Sequence, residues 1–172
     1  MPSSERIVHP LAPVWDGRSC ALVLGTMPSP ASRAVNFYYG NPRNRFWRVA
    51  AALWDEPEPE TNEGRRAFCL AHRIALWDVL ASCDIVGASD ASIEDPVPND
   101  LSRVLDSAPI LTIFCTGSTA ARLYRRLIEP TLGRSCVALP STSPANARMR
   151  LADLVSAYAP LRVACTQPHL PQ

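Results

Sequence analysis

Apolar residues in this chain gather into a few short unbroken runs, separated by stretches with helical spacing. Ala21-Leu-Val-Leu, ending at Gly25, has the length and continuity of a strand buried on both faces. Ile74-Ala-Leu-Trp, Ile110 to Cys115 and Val137-Ala-Leu have the same character. Phe46, Trp47, Val49, Ala50, Leu53 and Trp54 recur at helical spacing, which predicts an amphipathic helix over Pro42–Trp54. Further helices are predicted from about Glu63, from Gly117 to about Ile128, and from Ser143 to Tyr158. Thr26 to Gly40 reads as a loop, and Glu56-Pro-Glu-Pro-Glu as an acidic connector broken by proline. Strands alternating with helices predict an α/β fold with a mostly parallel central sheet covered on both faces. Neither a repeat nor a second domain is visible. We expect one domain over 1–172, its core at about 18–160, with a short loose tail after 166.

A chain of 172 residues, 47% hydrophobic and 19% charged, can bury a substantial core. No apolar stretch approaches the ~20 residues needed to span a bilayer, and the first residues lack a secretory pattern. A cytoplasmic protein without a membrane partner is the expectation. Cys20, Cys69, Cys83, Cys115, Cys136 and Cys165 form no Cys-x-x-Cys pair, and His9, His72 and His169 are scattered. Buried inert thiols, no metal and no cofactor are therefore expected. All 17 basic side chains are arginine. No acidic residue lies between Asp16 and Asp55, where five arginines do, and six more face a single Glu129 between Ser107 and Arg150. A net charge of +1 thus hides two basic segments that could meet on one face and hold a polyanion.

In a parallel α/β sheet, ligands bind beyond the carboxyl ends of the strands. Three loops rich in Gly, Ser, Thr, Pro and Asn fall there: Gly25–Asn44, Thr116–Thr119 and Pro140–Asn146. Two of them repeat one pattern, Asn41-Pro-Arg-Asn44 and Ser143-Pro-Ala-Asn146. Each reads as a capped helix start with proline at the first helical position. The asparagine either tidies its own helix or offers a carboxamide to a ligand beside the helix N-terminus. Phe37-Tyr-Tyr-Gly sets three aromatics in a loop; core packing can claim one or two, and the rest suit stacking on a planar ring.

Leu24-Gly-Thr-Met-Pro-Ser29, Phe37 to Trp47, Leu76-Trp-Asp-Val-Leu80 and Leu139-Pro-Ser-Thr-Ser-Pro-Ala-Asn146 together resemble the hypoxanthine-DNA glycosylase branch of the uracil-DNA glycosylase superfamily. The resemblance spans roughly Ala21 to Tyr158. It implies a three-layer α/β/α sandwich and a monofunctional glycosylase without a metal, acting as a monomer on damaged DNA. Gly25, Thr26, Met27, Pro28 and Ser29 would form the first active-site loop, and Asn44 matches the asparagine associated with catalysis. Ser141 to Asn146 would form the second loop, with Ser141 where uracil-specific relatives carry histidine. The first loop here has no acid. The sequence departs from the branch at Thr116, before Gly117, where an asparagine is usual. A hydroxyl replaces a directional amide there, so the departure bears on base preference.

The resemblance implies extrusion of a deaminated nucleotide, hypoxanthine above uracil or xanthine, and hydrolysis of its glycosidic bond. Phe37, Tyr38 or Tyr39 would stack on the base, while Ser29, Ser141 and Ser143 would hold flanking phosphates. Pro144 and Asn146 would grip the backbone, and Arg148 or Met149 would fill the gap. Asn44 would orient a water or stabilise the departing base. With no lysine, a Schiff-base step has only the N-terminal amine to use. Asp78 is weighed as a rival pocket acid against the commoner role of capping a turn, and Asp84 likewise. Two other functions fit the loops: a damage-recognition protein without chemistry and a hydrolase of free nucleosides.

Overall fold

The apolar runs form the centre of the molecule in the computed structural model, which describes residues 2–168. In chain order the first elements are β1 (Glu5–Val8), β2 (Ala21–Gly25), α1 (Pro30–Val35), α2 (Phe46–Trp54), α3 (Asn62–Ala71), β3 (Ile74–Asp78), β4 (Leu80–Ile85) and β5 (Glu94–Pro98). There follow α4 (Ser102–Leu105), β6 (Thr112–Thr116), α5 (Ser118–Leu127), α6 (Glu129–Leu132), β7 (Val137–Leu139), α7 (Leu151–Ala157) and α8 (Ala159–Thr166).

Four strands, in the order β3-β2-β6-β7, make a wholly parallel sheet with flanking helices. Every residue of β2 and β3 is buried, which is why these strands read as continuous apolar runs rather than alternating ones. The register pairs Gly25 with Asp78 and Thr116 with Leu139, so the carboxyl ends of the strands share one edge.

A second sheet, antiparallel in the order β1-β4-β5, lies outside the sequence expectation. Its β5 carries Glu94, Asp95 and two prolines, and none of its residues is buried. Such a strand has no apolar face to show. The N-terminal segment is structural from residue 5 onward. Val14 exchanges two backbone hydrogen bonds with Leu76 at 2.8–2.9 Å, and His9 donates its backbone N–H to Ala81 at 2.8 Å. That path carries the His9 side chain beneath the end of β3. His169 and the last tail residues lie outside the described residues.

Three helix expectations are corrected. The loop after β2 contains α1, which Ser29 caps by accepting the Ser32 N–H at 3.1 Å. Helix α2 begins at Phe46 rather than Pro42, and the last helical segment begins at Leu151 rather than Ser143 and breaks before Pro160. Both Pro-Asn motifs are turns. In the first, Asn41 accepts the Arg43 N–H on its side chain (2.9 Å) and the Asn44 N–H on its carbonyl (2.8 Å). In the second, Ser143 accepts from Ala145 (3.2 Å) and Asn146 (3.0 Å) in the same two ways. Proline at the second turn position fits its fixed φ as well as it fits a helix start.

Five of the six cysteines are buried, Cys136 is half-buried, and all are free thiols. Tyr158 is fully buried and donates its hydroxyl to the Pro140 carbonyl at 2.6 Å, tying the segment after β7 to the end of α7. Tyr158→Phe should cost about 1 kcal/mol, the usual net worth of one such bond. A urea titration is expected to show a lower midpoint with an unchanged slope.

Candidate active site

A cavity of about 720 Å³ opens at the carboxyl ends of the parallel strands. Its wall combines the first loop from Gly25 to Ser29, Tyr38, Tyr39, Asn41 and Asn44, then Thr116 and Ser118, and the second loop from Pro140 to Asn146. Asp78 and the tip of the β4–β5 hairpin, Ile85 and Gly87 to Asp90, complete it. Such a volume suits a small planar ligand.

Asn44 stands just before α2, and its carboxamide is held from two sides. Its Oδ1 accepts the Phe46 backbone N–H at 2.9 Å and the Thr142 hydroxyl at 2.8 Å. The Phe46 bond fixes which end of the amide is oxygen, because a backbone N–H can only donate. The Nδ2 amine has no protein acceptor among the described residues and lies on the cavity wall. Asn44 therefore presents donors, not an acceptor, to whatever enters.

Arg45 next to it organises the second loop. Its backbone N–H donates to the Thr142 carbonyl at 3.0 Å, and its guanidinium donates to the carbonyls of Ser143 (3.1 Å), Asn146 (2.8 Å) and Met149. Within that loop Ser141 Oγ accepts the Ser143 N–H at 3.1 Å, and Asn146 Nδ2 donates to the Ser141 carbonyl at 3.0 Å. Gly117, at φ +96°, packs against Ser141 from behind and is not on the cavity wall.

The floor is built around Gly25. The Asp78 carboxylate, the Tyr39 hydroxyl and the Thr116 hydroxyl all converge above it. Asp78 is 5% exposed, and its Oδ2 meets His9 Nε2 at 2.7 Å. Tyr39 OH and Thr116 Oγ1 are 3.1 Å apart, and Thr116 also reaches the Leu24 carbonyl at 3.4 Å. Burial, reinforced by the charge of Asp78, pushes the Tyr39 hydroxyl well above its ordinary pKa, so it stays protonated. The Tyr39 ring stacks on Phe46 at 3.9 Å and 11°, with its backbone in the left-handed region at φ +53°. At the rim, Asp90 accepts the Thr26 hydroxyl at 3.2 Å, and desolvation raises its carboxyl pKa.

Of the residues expected at the site, the structure brings together Gly25 to Ser29, Tyr38, Tyr39, Asn44, Thr116, Ser141, Ser143, Pro144 and Asn146. Three stand elsewhere. Phe37 packs in the core against Tyr38 and Trp47, Gly117 supports Ser141, and Arg148 is exposed outside the cavity. Tyr38 is 3% exposed with its hydroxyl bound to the Ala12 carbonyl, and Ser29 spends its oxygen on capping α1. Asp78 caps no turn; Asp84 pairs with Arg6 on the second sheet at 3.4 Å. His9 and the hairpin tip were not anticipated, while Thr142 fell in the expected second loop and Arg45 in a basic segment without the roles they take here. The one available signal was Asp78 itself, at the end of an apolar run beside Gly25. Among the described residues, no helix is long and apolar enough to cross a membrane, and no group of three or more His, Cys, Asp or Glu is placed to hold a metal.

No family model matches the chain. It is 35% identical over 136 residues to the hypoxanthine DNA glycosylase of Methanosarcina acetivorans, covering 78% of this chain and 85% of that protein. The hypoxanthine DNA glycosylase of Methanosarcina barkeri is 31% identical over 137 residues, 79% of this chain and 86% of that one. A solution NMR structure of a candidate uracil DNA glycosylase from Methanosarcina acetivorans superimposes with a TM-score of 0.73 at 30% identity, covering 88% of this chain and 96% of the other.

A Cβ at position 25 would stand 2.5 Å from Asp78 Oδ1, a distance no relaxed structure tolerates. Gly25→Ala should therefore destabilise the fold by about 1–3 kcal/mol, as overpacking does. Thermal unfolding checks this, and an unchanged midpoint would mean that Asp78 is free to move.

Proposed function

The chain belongs to the hypoxanthine-DNA glycosylase branch of the uracil-DNA glycosylase superfamily, and from that premise we propose that it releases hypoxanthine from DNA, with Asn44 stabilising the departing base. It is a DNA glycosylase of deaminated bases; the choice of hypoxanthine and the residue roles are our reading.

The observation that carries the reading is the fixed carboxamide. With Oδ1 held by Phe46 and Thr142, Asn44 can only donate toward the cavity. Heterolysis of the glycosidic bond sends its electron pair to the base nitrogen and leaves an oxocarbenium-like sugar. Donors preplaced where the negative charge appears lower that barrier without reorganising. A water then adds to the anomeric carbon and loses a proton to solvent. The neighbouring DNA phosphates offset the sugar cation, which lessens the need for a carboxylate pair such as other glycosidases use.

The rest of the cavity supports base extrusion. Unstacking a nucleotide costs a few kcal/mol and is easiest for a mispaired base. Tyr39, backed by Phe46, offers the extruded ring a stacking surface. Ser141 and Ser143, whose oxygens accept within the loop, keep their hydroxyl protons to donate and are suited to the flanking phosphates. The two basic segments meet where Arg45 holds the second loop, and Arg43, Arg48 and Arg148 are exposed in the same two segments, which suits a polyanion. Arg148, exposed beside the second loop, is our candidate over the half-buried Met149 for the gap left by the base.

Duplexes carrying one deoxyinosine, deoxyuridine or deoxyxanthosine, treated with protein and then hot alkali, should break at deoxyinosine first. Asn44→Ala should lower kcat by about 10²–10³, the loss typical of one such donor. Asn44→Asp should not restore activity, because the fixed oxygen leaves the second, charged one facing the departing anion. An Asn44→Asp enzyme as fast as the wild type would contradict the donor role.

A further inference from the structure

The cavity floor holds a charged group that the bond-breaking step does not use. Asp78 and His9 have side chains only 7% and 4% exposed, and their contact is 2.7 Å. The Leu11 backbone N–H donates to His9 Nδ1 at 3.3 Å, which places the ring proton on Nε2, where it is donated to Asp78 Oδ2. One carboxylate oxygen is thereby fixed. The other, Oδ1, has no hydrogen-bond partner among the described residues and faces the cavity beside Gly25. Oδ1 opens onto the cavity rather than being sealed in the core, so it stands available as an acceptor to a donor that enters from outside.

We propose that Asp78 distinguishes a deaminated base from its parent by accepting the ring N–H that deamination creates. The inference rests on the glycosylase reading above and names the chemistry by which that site selects its base. In adenine or cytosine, an exocyclic amine donates beside a ring nitrogen that carries a lone pair. Deamination inverts both groups: the amine becomes a carbonyl, and the ring nitrogen gains a proton. A carboxylate only accepts, so it binds the new N–H and repels the parent's lone pair. The neighbouring Tyr39–Thr116 hydroxyl pair, 3.1 Å apart, can donate to the new carbonyl. Acceptor and donor stand within 3.7 Å of one point above Gly25, spread over separate side chains. This arrangement explains how a hydroxyl at Thr116 is compatible with selection, since the acceptor comes from β3.

The test compares excision of deoxyinosine with that of deoxynebularine, a purine whose N1 carries a lone pair and no proton. In Asp78→Asn, His9 Nε2–H still holds the side-chain oxygen, so the amide nitrogen turns into the cavity and an acceptor becomes a donor. The preference of kcat/KM for deoxyinosine over deoxynebularine should fall by roughly 100-fold or more, in line with the loss of a designed polar contact. Intrinsic differences between the two bonds cancel, because the ratio is compared between enzymes. An equal loss on both substrates, or an unchanged ratio in a folded variant, would overturn the proposal while leaving the glycosylase intact. Wild-type protein alone supplies a second measurement: N1-methyldeoxyinosine, which lacks the proton, should be released at least 100-fold more slowly than deoxyinosine. Similar rates would overturn the proposal without any variant. A wild type that releases no deaminated base at all would remove the glycosylase reading and this inference together.

Discussion

The carboxamide oxygen of Asn44 receives one hydrogen bond from its own helix start and another from Thr142, 98 residues further along the chain. That pair of bonds makes the two loops above the sheet a single body. Arg45 completes the join by collecting three carbonyls of the second loop, among them Asn146 at 2.8 Å. A guanidinium with its donors fixed in a plane can satisfy several carbonyls at once, which a lysine ammonium does less well. The arrangement engages the carbonyls of Ser141, Thr142, Ser143 and Asn146 within the protein. It also orients the Asn44 amine, the group to which we assign stabilisation of the departing base.

Beneath this roof the parallel register delivers the floor. Because Gly25 pairs with Asp78 and Thr116 ends the adjacent strand, two polar side chains meet beside Gly25 at the strand ends without any loop having to place them. Gly25 is required by that crowding, since any side chain would occupy the space of the carboxylate. Tyr39 holds a left-handed backbone conformation that costs a non-glycine residue about 1–2 kcal/mol. Stacking on Phe46 and the contact with Thr116 hold it there, and the result is a ring presented to the cavity. The strain is local and sits on the cavity wall.

The parallel sheet was legible because strands covered on both faces are apolar throughout, and β2, β3 and β6 stand out by that alone. The second sheet was not, since β5 is mostly acid and proline and β1 has a single buried residue, Ile7. The likeness of the two Pro-Asn motifs was legible and their geometry was not. Asn-Pro and Ser-Pro satisfy a helix start and a turn equally well in local terms, so the sequence leaves the two indistinguishable. Asn44, Ser141 and the first loop came from the family resemblance, and the structure places all of them on one cavity. Phe37 was drawn into the candidate site by its neighbours, although Trp47 and Tyr38 claim it for the core. His9 left no trace, because its partner lies 69 residues away and its own surroundings look like a terminal segment.

The central claim, that the fixed amine of Asn44 acts on the departing base, is tested most directly by varying that base. Single-turnover release of hypoxanthine and of 2-fluorohypoxanthine, a more acidic leaving group, would be measured for the wild type and for Asn44→Ala. If Asn44 stabilises leaving-group charge, removing it should cost less with the fluorinated base, which carries that charge more easily. An equal loss on both bases would contradict the account and place Asn44 on the water or the sugar instead.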